Sequence, residues 1–313
     1  MATGDRTAIR WPEGRRFAFT IFDDPDRQTV EDGKRAYGVL GDLGFRTTRG
    51  VWPGRAVRTP NSQGADCGDP EYLKHTQELQ AAGFEVGYHN HTRHSSTREE
   101  IIAGLDDFKA FFGHDPSAMA NHYNGDAMYW GPARLTQPIR MAYIVATAGR
   151  TNGRHFGHVP GHPWFWGDVC RDRIRYCRNF VYADINTLAA CPWMPYRDPT
   201  KPFVNAWYAS TEGSNAPRFL DALTEANQDR LEAEGGACIM YTHFGHHFVE
   251  DGRISQRFVD LMTRLSRKGG WFVPVSTLLE YIRPYDRIET LRDGERRRLE
   301  RRWLWEKLFR GTS

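Results

Sequence analysis

Strand-like and helix-like runs alternate along most of this 313-residue chain, and this order limits the possible folds more than any other feature. Phe17–Phe22 is a continuous apolar run rich in strand-forming residues. Val30–Leu43 instead has apolar residues at helical spacing and is followed by Gly44. Two parallel strands need a long crossover between them, which is usually a helix. The alternation therefore predicts an α/β fold, with a mostly parallel sheet or barrel covered by helices.

The remaining predicted elements continue this alternation within one domain. Residues 1–290 are predicted to form a single (β/α) barrel domain, with an irregular insertion at about 149–215 that is rich in Gly, Pro, Trp and His. Residues 291–313 are predicted to form a basic, aromatic C-terminal helix. Further helices are predicted at Tyr72–Ala82, from the capping box Ser96–Glu99 to about Phe112, at Ala216–Ala233 and at Ser255–Lys268, and further strands at 45–52, 84–88, 117–120, 237–242 and 271–275.

The composition excludes several classes of protein. Hydrophobic residues make up 40% and charged residues 26% of the chain, as in ordinary globular domains. A net charge of +3 is too small to indicate nucleic-acid binding, so we expect no nucleic-acid partner. No apolar run approaches the roughly 18 residues of a membrane-spanning helix, and the N-terminal residues show no apolar signal segment. Five cysteines without a C-x-x-C pair indicate reduced thiols, so we expect a cytoplasmic protein.

The predicted C-terminal helix is strongly basic. Residues 291–313 contain eight Lys/Arg against four Asp/Glu, together with two tryptophans. Such a segment can rest on an anionic membrane surface, which would make the protein peripheral to the inner membrane face. The same residues also suit a helix packed on the core or on a partner subunit, and the sequence leaves these alternatives open.

Polar side chains follow four of the predicted strands directly. Because the carboxyl ends of parallel strands meet at one edge of a sheet or barrel, these side chains are expected at a common rim. Two His and one Asp can bind a divalent metal there and leave positions open for water and substrate. Hydrolysis also needs a base for the proton of the water and an acid for the leaving group. The residues in question are Asp23-Asp24, His89 within the run HNHTRH, Asn121-His122, and His243.

Three segments resemble the polysaccharide deacetylases of the NodB-homology type, carbohydrate esterase family 4. FTIFDD is similar to their T-F-D-D motif, and GFEVGYH to their G-x-E-[IV]-G-N-H segment. A strand ending at His243, followed by GGWFVPVSTLLEYI, resembles the last helix–strand–helix of the family. The resemblance covers about residues 15–282. It implies a distorted (β/α) barrel with fewer than eight regular strands, and metal-dependent removal of an acyl group from an N-acylated sugar.

The resemblance also implies roles for individual residues. Asp23 corresponds to the catalytic base and Asp24 to the metal-binding carboxylate. His89 corresponds to the first metal histidine, and His243 to the acid that protonates the departing amine.

The second metal histidine is less clear, because the family has it four residues after the first, where this chain has Arg93. We predict His94 as this ligand, since a one-residue bulge restores its reach. His91 and His122 are the alternatives. The family's arginine motif is missing from SAMANHYN, so His122 either replaces that arginine in orienting Asp23 or is itself the third ligand.

Other aromatic and polar residues are candidates for substrate binding. Asn121 lies beside His122, and Trp207 lies in the part of the chain where the family has its Trp-bearing motif. The three histidines of RHFGHVPGH have spacings that suit a metal, but no predicted strand end presents them. We therefore expect loop hydrogen bonding, rather than a second metal site, for His155, His158 and His162.

Together these observations predict a metal-dependent hydrolase that removes an N-acyl group, most simply N-acetyl, from an amino sugar. A cytoplasmic location favours a nucleotide- or lipid-linked intermediate of surface-polysaccharide biosynthesis as the substrate. Zinc is the expected metal, although Co, Ni or Mn would suit the same ligands. Two alternatives are an amide or ureide hydrolase of a small metabolite on the same fold, and a non-catalytic sugar-binding relative.

Overall fold

The alternation predicted from the sequence is realised as a closed barrel. A computed structural model describes residues 9–150 and 152–313; the N-terminal residues that bear most directly on a signal segment lie outside these ranges. Seven parallel strands pair in chain order, and the last pairs with the first over six residues. The strands are β1 Ala18–Asp23, β2 Thr48–Val51, β3 Glu85–Tyr88, β4 Ala118–Met119, β5 Tyr176–Tyr182, β6 Ala206–Thr211 and β7 Ala237–Thr242. An α/β barrel with fewer than eight regular strands is therefore confirmed.

Helices cover the outside of this barrel. Two of them begin with a capping box, at Thr29 and at Thr97. In each box the threonine side chain accepts from the backbone N–H of the third helical residue, whose side chain accepts from the backbone N–H of the threonine. The helices are α1 Val30–Asp42, α2 Pro70–Ala81, α3 Arg98–Phe112, α4 Ile139–Ala146, α5 Gly167–Arg173, α6 Thr187–Ala190, α7 Ala216–Ala222, α8 Glu225–Ala233, α9 Gln256–Ser266, α10 Val275–Ile282 and α11 Asp293–Phe309.

Three predicted elements differ from the structure. The cap of α3 is Thr97 rather than Ser96, whose backbone N–H donates to Asp126 instead. The helix predicted at Ala216–Ala233 is broken into α7 and α8, because Thr224 caps the second part. The strand predicted at 271–275 is reduced to one bridge between Trp271 and Ala18, since α10 begins directly after Pro274.

The segment predicted as an irregular insertion also differs. It contains β5 and β6, so about 149–215 is partly barrel wall rather than an insertion throughout. All seven residues of β5 are buried, including Arg178. The irregular part is confined to the loops and short helices on either side of these strands.

The C-terminal helix α11 packs on the outside of the barrel. Leu299 and Trp303 belong to the main hydrophobic core, and the Trp303 ring lies 5.6 Å from that of Phe180. On the opposite face, Trp305 and Phe309 are exposed. Within the residues described, no helix has the length and apolar character needed to cross a membrane.

Side-chain alternation along β1 decides what reaches the barrel interior. Phe22 points inwards, where the Arg178 guanidinium lies 5.5 Å from its ring. A Cβ at Gly87 would lie 2.8 Å from the Phe22 ring, so glycine leaves room for this ring. Because successive side chains face opposite sides of a strand, Asp23 points outwards to α1 and Asp24 points inwards. The two neighbouring aspartates therefore have different surroundings.

Candidate metal centre

The loops that follow β1, β3 and β4 bring one carboxylate and two imidazoles together at the carboxyl end of the barrel. Asp26, His89 and His122 each offer a ligand atom, and these three atoms all lie within 4.8 Å of one another. Asp26 Oδ2 is 3.3 Å from His89 Nε2, and Asp26 Oδ1 is 3.5 Å from His122 Nδ1. This is the donor set of a site that binds a divalent metal through three protein ligands.

Backbone and side-chain contacts fix the two histidines. The His89 backbone N–H donates to Val51 O and so continues the β2–β3 pairing. The His122 backbone N–H donates to Asn90 Oδ1 at 2.8 Å, and Asn90 Nδ2 donates to Asp126 at 2.7 Å. Asn90 has a φ of 59°, a left-handed conformation that asparagine tolerates better than most residues. The loop is thus held so that both imidazole rings lie beside Asp26.

The electrostatics of this group favour a cation. Burial by itself raises the pKa of Asp26, but hydrogen bonding and charge from His122 and His89 outweigh it and hold the pKa well below its usual range. His89 Nδ1 and His122 Nε2 are buried and have no hydrogen-bond partner among the described residues. These are the ring nitrogens other than the two nearest Asp26. Buried polar atoms are normally paired, so two unpartnered imidazole nitrogens show that this group has ligand capacity that the protein does not use.

Asp24 lies next to this group but is bound to an arginine. Arg178, from β5, donates to both carboxylate oxygens of Asp24, at 3.0 and 2.5 Å. Both side chains are 2% exposed, so the pair is charge-assisted and shielded from water. Asp24 Oδ1 is also 3.7 Å from His89 Nδ1. The arginine therefore fixes this carboxylate at the edge of the metal group.

Asp23 occupies a different environment, between β1 and α1. Its carboxylate accepts hydrogen bonds from Gln28 Nε2, from Tyr37 Oη and from the backbone N–H of Phe244, at 2.8, 3.0 and 2.9 Å. The side chain is fully buried. Burial raises the pKa of Asp23 to about 6, although these hydrogen bonds and the nearby Arg49 act to lower it.

His243 follows β7 and faces the group from the other side. Its Nδ1–H donates to Ser214 O at 2.6 Å, which leaves Nε2 directed towards the carboxylates. Nε2 lies 3.7 Å from Asp26 Oδ2 and 3.9 Å from Asp24 Oδ2. Tyr241 Oη is 3.3 Å from the same nitrogen. An imidazole placed between two carboxylates is well suited to carry a proton.

The candidate ligands that the structure brings together differ from the predicted set. His89 is common to both, whereas Asp26 stands where Asp24 was expected and His122 where His94 was expected. The buried ring of His94 accepts a hydrogen bond from the Val57 backbone N–H through Nε2, at 3.2 Å. A one-residue bulge does not bring it to the rim, because its loop turns towards Val57.

The other predicted substrate or metal residues also lie away from the group. His91 packs against Gly54 and Gly104, where burial lowers its pKa to about 4. Asn121 exchanges two hydrogen bonds with the backbone of Met128 and holds that loop. Trp207 is 1% exposed, with its ring 6.0 Å from that of Tyr129, in the layer outside the strands.

Two residues of the site were missed from the sequence. Asp26 lies two positions beyond the Asp-Asp pair, in FDDPD, and the proline between them was the available signal that the chain turns there. Arg178 is the only charged residue in the otherwise uncharged run YCRNFVY of β5. A charge in a fully buried strand needs a partner, and this signal could have identified it.

Comparisons with known proteins support the fold alone. No family model matches the chain, and no curated protein matches it. A Mycobacterium smegmatis structure described as a polysaccharide deacetylase aligns with a TM-score of 0.51 and 12% identity, over 92% of this chain and 97% of that one. An allantoinase aligns at a TM-score of 0.49 and 13% identity, over 91% and 100%. A Pseudomonas aeruginosa PAO1 protein described as a polysaccharide deacetylase aligns at 0.48 and 12%, over 88% and 94%. The first of these matches, together with the closed barrel, confirms the expected barrel fold of the deacetylase type.

Proposed function

We propose that this protein is a metal-dependent hydrolase that removes an N-acyl group, most simply N-acetyl, from an amino sugar by cleaving a linear amide bond. The observation that carries the proposal is the meeting of Asp26, His89 and His122 at the barrel rim, between Asp24 and His243. This arrangement places possible metal ligands, a fixed carboxylate and an imidazole around one small volume. Amide hydrolysis needs these three kinds of group.

The residues present fit a metal ion. Asp26, His89 and His122 would hold it, since two of their nitrogens are buried without a partner and the carboxylate stays ionised. Zinc is the first candidate for this donor set, and Co, Ni and Mn suit the same ligands. When bound, such an ion polarises a carbonyl oxygen and lowers the pKa of water.

Asp24 is the proposed proton acceptor. Arg178 donates to both of its oxygens and fixes its orientation, while the carboxylate faces His89 and His243. In the reaction, the oxygen of a water bonds to the carbonyl carbon and Asp24 takes a proton from that water. This differs from the role that the family resemblance implies for Asp23.

His243 is the proposed acid. Its Nδ1–H is bound to Ser214 O, so the reacting proton is carried on Nε2, which lies 3.9 Å from Asp24 and 3.7 Å from Asp26. As the C–N bond breaks, Nε2 transfers this proton to the departing nitrogen. The products are a carboxylic acid and a free amine, and no oxidant or reductant is needed.

Asp23 is proposed as a positioning residue. Its carboxylate points to α1 rather than to the metal group, and no surface of the side chain reaches solvent. By accepting from the backbone N–H of Phe244, it holds the turn that follows His243. Its loss would therefore disturb the acid indirectly.

The proposed substrate remains an acylated amino sugar, as a nucleotide- or lipid-linked intermediate of surface-polysaccharide biosynthesis, and the proposed location is the cytoplasm. The exposed Trp305 and Phe309 of the basic helix α11 would place the enzyme against the inner membrane face or a partner subunit. Comparing hydrolysis of soluble and lipid-linked acyl sugars tests this substrate class. Inactivity on both would reject it.

Metal content tests the mechanism most directly. Elemental analysis of protein purified without chelator should give about one equivalent of metal per chain. The variants Asp26→Ala, His89→Ala and His122→Ala should lose it. His94→Ala is the matched control, a buried histidine from the same part of the chain, and should keep it.

Two results would contradict this proposal. Metal lost in His94→Ala but kept in His122→Ala would restore the ligand set predicted from the sequence. No metal after supplementation with Zn, Co and Mn would leave a metal-free amide or ureide hydrolase, or a sugar-binding relative. An activity assay on N-acetyl sugars and on small ureides then separates these outcomes.

A further inference from the structure

A buried arginine outside the candidate metal group has no anionic partner. Arg134 ends the 3₁₀ turn Gly131–Arg134 and is 3% exposed, yet no carboxylate of the described residues forms an ion pair with it. Its Nη2 is buried without a hydrogen-bond partner. The guanidinium instead lies 3.6 Å from the Trp130 ring and 5.5 Å from the Trp303 ring.

A second cation belongs to the helix that carries Trp303. Lys307 follows Trp303 by four residues, so the two side chains share one face of α11. Lys307 is half-buried and forms no ion pair within the described part of the chain. Burial, and next the charge of Arg134, lower the pKa of Lys307 to about 8.

Hydrogen bonds connect this region to the carboxyl end of the barrel. Trp303, whose ring lies 5.5 Å from the Arg134 guanidinium, donates through Nε1 to Ser313 O, and the Ser313 backbone N–H donates to Glu212, directly after β6. The Glu212 carboxylate accepts from the backbone N–H of Ser214, the residue whose carbonyl holds His243.

The other buried cations show how unusual this pair is. Arg178 is bound to Asp24, and Lys201 is bound to Asp198 at 2.5 Å. Arg49 has no carboxylate contact, but it donates to Gln28 and contacts His75. The buried guanidinium of Arg134 instead has aromatic faces beside it, which is unfavourable for a charge unless an anion joins it.

We infer that Arg134 and Lys307 form an anion-binding site for the substrate, which takes a carboxylate or phosphate group on the acylated molecule. The inference depends on the proposed function only for the identity of that molecule. An anion between these side chains would pair with the guanidinium and the ammonium and remove their mutual repulsion. The preferred substrates are then anionic rather than neutral amides.

Calorimetric titration of the full chain with inorganic phosphate, and separately with acetate, tests this site without any hydrolysis. Repeating it in the Asp26→Ala background removes anion binding at the metal. We expect Arg134→Met to weaken binding by at least about tenfold and Lys307→Met by a smaller factor. Arg301→Met, which removes an exposed charge from the same helix, should leave binding unchanged. The better of the two anions identifies the group that the site takes.

Equal binding to the wild type and to Arg134→Met would overturn the inference, as would no saturable binding of either anion to the wild type. If Arg134→Met does not fold, Lys307→Met decides in the same way. Kinetics then extend the test to the substrate: Arg134→Met should lower kcat/KM for N-acetylglucosamine 6-phosphate or N-acetylmuramic acid by a larger factor than for neutral N-acetylglucosamine. Failure of hydrolysis alone would reject the proposed function and leave the anion site standing.

Discussion

Two regions of this molecule combine histidines with a carboxylate, but among the described residues only one of them brings these groups close enough to hold a metal. At the barrel rim, His89 and His122 both face Asp26. In the histidine loop, defined here as residues 155–168, each imidazole serves its own neighbours. Those contacts are His155 Nδ1 with Asn124 O at 2.7 Å, Tyr129 N–H to His158 Nδ1 at 3.1 Å, Trp164 N–H to His162 Nδ1 at 3.2 Å, and Asp168 with Arg98.

The difference shows what a barrel contributes to a site. Histidines from separate strand ends converge because parallel strands finish at one edge. Histidines within one loop are close in sequence, yet here each pairs with a separate backbone group, of Asn124, Tyr129 or Trp164. Clustering along the chain is therefore weaker evidence for a metal than placement after strands.

The largest expected effect is that of Asp24, which pairs with Arg178 at the rim, in comparison with Asp168, which pairs with Arg98 in the histidine loop. Asp24→Asn should lower kcat on an acyl sugar by about 10³-fold while the metal is retained, because the proton acceptor is lost. Asp168→Asn is the matched change in the histidine loop and should leave kcat unchanged. Steady-state kinetics with elemental analysis measure both, and a normal kcat in Asp24→Asn would return the role of base to Asp23.

Stability should separate the two regions as well. Arg178→Met leaves Asp24 buried without a partner, so the free energy of unfolding should fall by about 3–5 kcal/mol. Arg98→Met breaks the pair with the exposed Asp168 and should lower it by less than about 1 kcal/mol. Urea unfolding of both variants provides the comparison. Similar decreases in the free energy of unfolding for the two variants would mean that burial does not distinguish the Arg178–Asp24 pair from the Arg98–Asp168 pair.

Asp23 gives the rim a characteristic pH dependence. Its pKa is about 6 in the folded protein, against the ordinary value of 3.8 for an aspartate in the unfolded chain, so the folded state binds the proton more tightly. Between about pH 4 and pH 6 the free energy of unfolding should therefore fall as pH rises, by about 3 kcal/mol for this group. Unfolding of chelator-treated wild type and Asp23→Asn across this range measures the difference, and a constant difference would contradict it.

The histidine loop should respond in the opposite direction. Burial lowers the pKa of His155 and of His158 to about 4, so their contribution is complete above about pH 6.5 and is lost as pH falls towards 4. His158→Ala should accordingly remove part of this acid sensitivity.

The smallest expected effect is the stability of that same variant at neutral pH. His158→Ala loses the hydrogen bond from the Tyr129 backbone N–H and should lower the free energy of unfolding by about 1 kcal/mol, with the metal retained. Thermal unfolding and metal analysis are sufficient here. Loss of metal in this variant would place a ligand in the loop and break the comparison.

Much of the fold could be read from the sequence. The strands that end before Asp24, His89 and His243 were predicted within a residue or two, because continuous apolar runs between helical periods are a strong signal. The predictions of one helix over Ala216–Ala233 and of a strand at 271–275 were wrong. Thr224 caps a second helix within the first segment, and Pro274 precedes a helix at the end of the second. The irregular segment hid β5 and β6 because turn-forming residues surround both strands.

The sequence patterns by themselves determined a mostly parallel sheet or barrel, its rim and the presence of acidic and imidazole groups there, since these depend on periodicity and strand order. The choice of a barrel came from the family resemblance. Only the tertiary structure decided which groups meet. His122 rather than His94 faces Asp26 because Asn90 positions one loop while Val57 engages the other histidine. Asp24 is paired with an arginine that lies 154 residues away along the chain. Such choices depend on loop conformation and long-range pairing, which local sequence patterns do not encode.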